Sequence, residues 1–435
     1  MAGVVVAEDV KRATGPPTWR TWIEPWFLSY AFLGISVAGL APILLPLSVG
    51  RSGSVSDIGL VMGAFNLGGL SAPLWGGVAD RYSVHRLLLM MGLLGTAVAL
   101  AAFPFASSIE LRLILGLVQG TGAACAATVA NLFIVEMHPR SEWDERIGWL
   151  QTFYGAGQVF GLLLAGGTSG QESHAGFFIG AGTMFVACVP ALFMRGKPHA
   201  VPVKRPVLLY PSRHVELTAG SPQSFYHRVD RKAVEHLLRS FVSPFGVFLV
   251  AWFTSFVGVA AFFSLYPVLM EVVYGVDPSI SSIGFAAAAT AGLFFYAPAG
   301  KWSRKYGSLR VFRAALMTRV LAFLVLFIIG ALRFLVGGSL ALIGFAFVVV
   351  AWSLLSVTGT EITAQYSEGH EGEGLGLFNA CTAVAGVLGA VIGGWSAESW
   401  GCGFVSVLGI GGATVGLLMS GIISTPATRR IEKER

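Results

Sequence analysis

Apolar stretches long enough to cross a bilayer follow one another along nearly the whole chain, separated by short polar or charged clusters. About 20 apolar residues carry a helix across a hydrocarbon core of roughly 30 Å. Read on that scale, the pattern predicts spans at about 26–49, 57–78, 86–105, 111–135, 147–168 and 175–194. After a polar interval it resumes at about 242–269, 280–300, 311–333, 337–362, 375–396 and 403–424. The expected fold is an all-α membrane protein whose twelve transmembrane helices form two six-helix, pseudo-symmetric bundles. The expected units are an N-terminal segment (1–25), a first half (26–194), a basic linker (195–241), a second half (242–424) and a tail (425–435).

Composition sharpens this reading. Of 435 residues, 54% are hydrophobic and 12% charged, with a mean hydropathy of +0.72, whereas a soluble domain carries roughly 25% charge. A soluble fold would have to hide a dozen apolar runs from water, so lipid is the simpler solvent. The first 25 residues mix Glu8, Asp9, Lys11, Arg12 and Arg20 with prolines, and the apolar stretch after them is too long for a signal-peptide core. No cleaved signal is expected. Cys125, Cys188, Cys381 and Cys402 all sit in apolar stretches without zinc-like spacing, and read as packing residues. Neither a metal site nor a cofactor is expected.

Charge sets the sidedness. Residues 195–240 hold nine Lys or Arg against three acids, and loops enriched in Lys and Arg stay in the cytoplasm. An even number of spans then places both termini inside, in a multi-pass protein expected in the cell membrane. Arg81, Arg86, Lys301, Arg304, Lys305 and the Arg429–Arg430 tail fall on the same side, leaving Arg51, Arg112 and Arg333 outside. The net charge of +6 is thereby accounted for by topology, without nucleic acid as a partner.

The halves repeat. Gly76, Arg81, Tyr82 and Arg86 after the second span align at an offset of 224 with Gly300, Lys305, Tyr306 and Arg310 after the eighth. An offset of 228 pairs Gly148, Gly161 and Gly166 in the fifth span with Gly376, Gly389 and Gly394 in the eleventh. Parallel repeats imply a solute path between the halves near the midplane, with rocking of one half against the other. Glycine-rich faces of the fifth and eleventh spans (Gly155, Gly157, Gly161, Gly166; Gly386, Gly389, Gly393, Gly394) read as packing or hinge surfaces.

Gly76, followed by Asp80 and Arg81 and by more basic residues before the third span, resembles the signature loop of the major facilitator superfamily. Ser83 stands where that loop has its second Gly, and Val84 where it has a basic residue. Gln119-Gly120-Thr-Gly122-Ala123-Ala124 is similar to the family's second motif, with Gly116 at its Arg position and Arg112 one turn earlier. Gly157-x-x-x-Gly161 partly resembles the antiporter motif, with Leu162 in place of its Pro. The resemblance implies alternating access, with Asp80, Arg81 and Arg86, and their counterparts Arg304, Lys305 and Arg310, in a cytoplasmic gate. The competing reading of these charges is topology alone.

Polar groups within a span are costly unless they meet a partner or a water-filled path. The candidates for a substrate path are Asn66, Gln119, Asn131, Gln151, Tyr154, Gln158, Trp252 and Asn379, with Tyr30, Phe262, Tyr266 and Trp352 as further aromatic candidates. Each polar residue can equally be interhelical glue. Glu361, near the cytoplasmic end of the tenth span, is the candidate for proton coupling, with Glu136 and Glu271 as rivals. Arg319 is the one basic residue deep enough to meet an anion, but it lies in the ninth span, which in the family is often peripheral.

These features point to a secondary active transporter of a small organic solute, a monomer in lipid. Scarce deep charge and abundant aromatics favour export of amphipathic compounds over uptake of a sugar, carboxylate or other nutrient. A non-transporting sensor or scaffold is the alternative of another class. An enzyme is not expected, because no nucleotide loop or catalytic constellation is present in the sequence.

Overall fold

In the computed structural model, residues 22–138, 142–169, 174–194, 243–332, 337–367 and 371–423 are described. The linker and the tail lie outside them, as does most of the N-terminal segment. Twelve helical spans make up the described chain, with no strand. They are α1 (Phe27–Ser52), α2 (Val55–Gly69, then Ala72–Tyr82), α3 (His85–Ala102), α4 (Ile109–Met137), α5 (Trp143–Thr168) and α6 (Ala175–Ala191), followed by α7 (Pro244–Val272), α8 (Pro278–Tyr306), α9 (Ser308–Leu332), α10 (Gly337–Tyr366), α11 (Glu371–Trp400) and α12 (Phe404–Ile422).

Ten of the helices are long and apolar enough to cross a membrane. Of the other two, α6 is only 17 residues long, and α5 is diluted by Glu145, Arg146, Gln151 and Gln158. Two departures from straight helix stand out. Over Gly34–Leu40 α1 widens to π-helical bonding, and α2 breaks at Leu70–Ser71, just ahead of Pro73. Pro73 lacks the N–H that would bond the Gly69 carbonyl, and its ring crowds that carbonyl, which accounts for the break.

Each half packs by the same scheme. In the first, α1 lies on α5 and α6, α2 on α4, and α3 on α4 and α6; in the second, α7 lies on α11 and α12, α8 on α10, and α9 on α10 and α12. Between the halves, α2 meets α11, α5 meets α8, and α1 meets α7. The glycines make this possible. A side chain at Gly161 would strike the Ile35 carbonyl of α1, and one at Gly389 the Val257 carbonyl of α7 at 2.5 Å. Their partners five residues on face the other half: Gly166 lies on Ser279 and Gly394 on Gly59. Each glycine helix therefore carries one close-packed face toward its own bundle and one across the divide.

Because the spans alternate, Trp22, Met194, Ser243 and Ile423 lie on one side of the bundle, the linker side. Contacts between the halves concentrate on the far side and in the middle. The buried apolar core is continuous across the halves there, while Phe248, Trp252, Phe312 and Phe378 form a separate cluster in the linker-side part of the second half.

Candidate functional site

Where the halves part, near the middle of the helices, a cavity of about 340 Å³ opens between them. Its wall is mostly apolar and aromatic, from Phe65 of α2, Phe256 and Phe263 of α7, Phe285 and Tyr296 of α8 and Trp352 of α10. Polar groups are few: Asn66, Gln158, Ser264, Ser353 and Arg319. No carboxylate is among the lining residues. Concave, largely apolar walls with a few directed polar groups are what an organic ligand requires.

The candidate residues divide into distinct places. Asn66 and Gln158 both line the cavity, and the Asn66 amide donates to the Gly386 carbonyl across the divide at 3.2 Å. Asn131 donates to the Ala127 carbonyl at 2.8 Å and toward the Tyr30 hydroxyl at 3.4 Å, and Tyr30 lies 5.1 Å from the Tyr154 ring, so these three cluster inside the first half. Gln119 is fully buried in α4, outside the cavity lining, with neither amide atom partnered among the described residues. Gln151 and Asn379 are exposed. Trp252 is buried behind the wall, where its indole N–H donates to Thr382 at 2.8 Å and its ring packs against Trp352 and Phe256. Phe262 and Tyr266 belong to the buried core.

Arg319 departs from the expectation drawn from its peripheral span. Although α9 sits behind α10 and α12, Arg319 reaches the cavity, the one residue of α9 among its lining. It is 2% exposed. Its guanidinium lies 5.8 Å from the Trp352 ring centre, and Nη1 donates to the Ser255 hydroxyl at 3.5 Å. Nε and Nη2 have no hydrogen-bond partner among the described residues.

On the far side the halves are tied. The Ser56 N–H donates to the Glu398 carboxylate at 3.0 Å, the Ser169 and Ser279 hydroxyls lie 3.4 Å apart, and Gly50 approaches Val268. On the linker side, Gly148 and Gly376 face open space. The cavity is thus closed by packed backbone on one side and flanked by parted helices on the other.

Charge on the linker side gathers within each half. Glu24, just before α1, contacts His138 at 2.9 Å and Arg146 at 2.7 Å, while Arg146 also meets Glu142 at 2.9 Å. Burial pushes the Glu24 carboxyl up, but hydrogen bonds from His138 and Trp26 and the charges of His138 and Arg146 outweigh it and hold the group below its ordinary value. His85 pairs with Glu136 at 2.9 Å. Glu361 accepts from the Ser303 hydroxyl of α8 and from Gln365 at 3.3 Å, so it ties α10 to α8.

The signature-loop residues lie at the linker-side ends of their helices. Arg81, Arg86, Arg304, Lys305 and Arg310 are exposed, and the side chain of Asp80 lies outside the described residues. Ser83 adopts φ 52° and ψ 38°, and Gly307, its partner at an offset of 224, has φ 90°. Both loops turn through a positive φ, the conformation that favours glycine.

The profile of the Major Facilitator Superfamily matches residues 26–364. The class E tetracycline resistance protein of Escherichia coli is 29% identical over 179 residues, which are 40% of this chain and 42% of that protein. This chain thus spans less than half the length of that relative. The multidrug resistance protein MdtG of Citrobacter koseri is 26% identical over 340 residues, 72% of this chain and 76% of that protein. Among solved structures, the nucleoside transporter NupG superposes with a TM-score of 0.68 at 13% identity, covering 92% of this chain and 96% of that one. A bacterial homologue of the human lysosomal transporter Spinster, inward-facing and unoccupied, gives a TM-score of 0.66 at 15% identity, covering 95% and 100%. At such identities the likeness concerns the fold alone.

Proposed function

This chain belongs to the major facilitator superfamily, and from that premise we propose that it is a secondary active transporter that exports small amphipathic organic solutes by alternating access. The observation that carries this reading is the aromatic-walled cavity between the two halves, closed on the far side and flanked by parted helices on the linker side. Such a wall suits a solute with a large apolar body and few polar groups. The resistance proteins that it resembles at 26–29% identity support export over uptake.

With the linker in the cytoplasm, as its basic residues favour, the cavity faces inward. The protein then sits in the cell membrane with both termini inside. Labelling of a single Cys placed at Ser212 by an impermeant thiol reagent from outside intact cells would reverse this orientation. The loop around Asp80 gates the linker side, so Asp80→Asn slows turnover more than it weakens solute binding. Equal binding and equal turnover in variant and parent would remove that role.

The direct test is reconstitution into liposomes with a panel of labelled amphipathic dyes, sugars and carboxylates, with and without an imposed pH gradient. Dye movement that exceeds sugar movement, and is accelerated by the pH gradient, is the expected result. Movement of a hydrophilic nutrient alone would replace export with uptake, and no movement of any solute would favour a sensor or scaffold.

A further inference from the structure

Arg319 and Arg313 lie six residues apart on α9, a little under two turns, and have opposite fates. Arg313 donates to the Ser420 and Ile423 carbonyls at the end of α12, so its charge meets the negative end of a helix. Arg319, about 16 Å into the helix from Ser308 and so near mid-membrane depth, meets no carboxylate within ion-pair distance among the described residues. Among the described residues, the acids on neighbouring elements lie at their ends: Glu271, Asp277 and Glu398 toward the far side, Glu361 toward the linker side. What Arg319 does meet is a weak contact to Ser255 and the face of Trp352.

A buried guanidinium with two unpartnered nitrogens is a costly arrangement, tolerated where the charge serves a ligand. The cavity it lines supplies no protein anion of its own. Building on the transport reading above, we propose that Arg319 is the anion-recognition group of the cavity and that the solute is an amphipathic organic anion. Its carboxylate, sulfonate or phosphate pairs with the unpartnered Nε and Nη2, which the buried side chain presents by turning further into the cavity, and its aromatic body packs against Trp352, Phe263 and Phe285. The planar fork of Arg matches a two-oxygen acid group, and Asn66 and Gln158 from the opposite half hold polar substituents at the other end. Binding then pairs a charge that is otherwise alone, so discrimination rests on the head group rather than on the apolar body.

The test uses the full-length protein purified in detergent, with 2-naphthoate, its neutral isostere 2-naphthamide and inorganic phosphate as probes, and thermal stabilisation as the measure of binding. The parent is expected to bind 2-naphthoate roughly tenfold tighter than 2-naphthamide, the margin of one charge-assisted contact. Arg319→Gln and Arg319→Met abolish that margin by weakening the naphthoate alone, and Arg319→Lys keeps part of it. Without ligand, the two neutral variants melt no lower than the parent, because the charge removed has no protein counter-ion. Failure of the parent to bind naphthoate, equal affinity for naphthoate and naphthamide, or the same preference in Arg319→Gln overturns the proposal. So does a large loss of unliganded stability in both neutral variants. Phosphate binding as well as naphthoate overturns the amphipathic class and reduces the site to an inorganic anion. Liposome exchange separates this from the transport reading: a naphthoate preference without movement of any solute sinks transport and leaves the anion site, whereas equal movement of both naphthyl probes does the reverse.

Discussion

Glu398, near the far end of α11, accepts a 3.0 Å hydrogen bond from the backbone N–H of Ser56 in the first turn of α2. The carboxylate meets the positive end of a helix that belongs to the other half. That contact exists only while the far side is closed, so its loss is expected to favour the far-side-open state. With about 0.3–1 kcal/mol for an exposed carboxylate at a helix N-terminus, Glu398→Ala shifts the ratio of the two states roughly 2- to 5-fold. Distances between spin labels at Phe105 and Gly403 report it. An unchanged distance distribution would mean that the bond contributes nothing to closure.

Gly394 rests against Gly59 so closely that a Cβ there would come within 2.7 Å of the Gly59 Cα. Both contact atoms are backbone and cannot turn aside. Gly394→Ala is therefore expected to wedge the far side apart and to cost about 1–3 kcal/mol of the closed arrangement. Gly376→Ala, on the same helix with nothing within 4 Å, is the control: it leaves the state unchanged and, as Ala in place of Gly in a helix, raises stability by up to about 1 kcal/mol. Accessibility of a Cys at Ser282 to thiol reagents measures the difference, and similar labelling in the two variants counts against the packing argument.

The ion-pair cluster on the linker side predicts an acid limit. Glu24 is held below the ordinary carboxylate value of about 4.5 in the folded state. A depressed folded value means stability that is present above the unfolded value and lost as pH falls through the folded one. Glu24→Gln is thus expected to lower the melting temperature at pH 7 by about 2–4 °C, equivalent to roughly 1 kcal/mol. It is also expected to narrow the gap from the parent below pH 4.5. A gap that stays constant from pH 7 into that acid range would show that the carboxylate's charge is not what stabilises the cluster.

Glu361, the candidate for proton coupling, bridges α10 to Ser303 of α8 within the second half. Glu361→Gln is expected to abolish accumulation driven by a pH gradient while leaving solute exchange at equilibrium intact. Ser303→Ala alters the same contact without removing the acid, and should retain coupling. If Glu361→Gln still concentrates solute against its gradient, the coupling acid lies elsewhere, with Glu136 and Glu271 next to be tested.

The signature loop was legible because its chemistry is local. Ser83 and Gly307 turn through a positive φ at equivalent places in the two repeats, a demand that a short stretch of sequence can display. The glycine register was legible for a similar reason: Gly161 and Gly389, or Gly166 and Gly394, recur at a constant offset that only duplicated packing would preserve. Which glycine faces its own bundle and which faces the other half was not.

By itself the sequence determined the number of spans, the division into two halves and the repeat between them, because twenty apolar residues have one economical way of meeting a bilayer. Only the tertiary structure decided which sides of those helices meet. Lipid and protein interior are equally apolar, so a span bears little mark of which face looks inward. Asn66 and Gln158 line the cavity while Gln151 and Asn379 do not, although all four are polar residues within spans. Arg319 reaches the cavity from a helix that packs behind its neighbours, through a side chain long enough to cross the gap that α7 and α10 leave open. Lateral geometry of that kind arises only when twelve similar helices are set side by side.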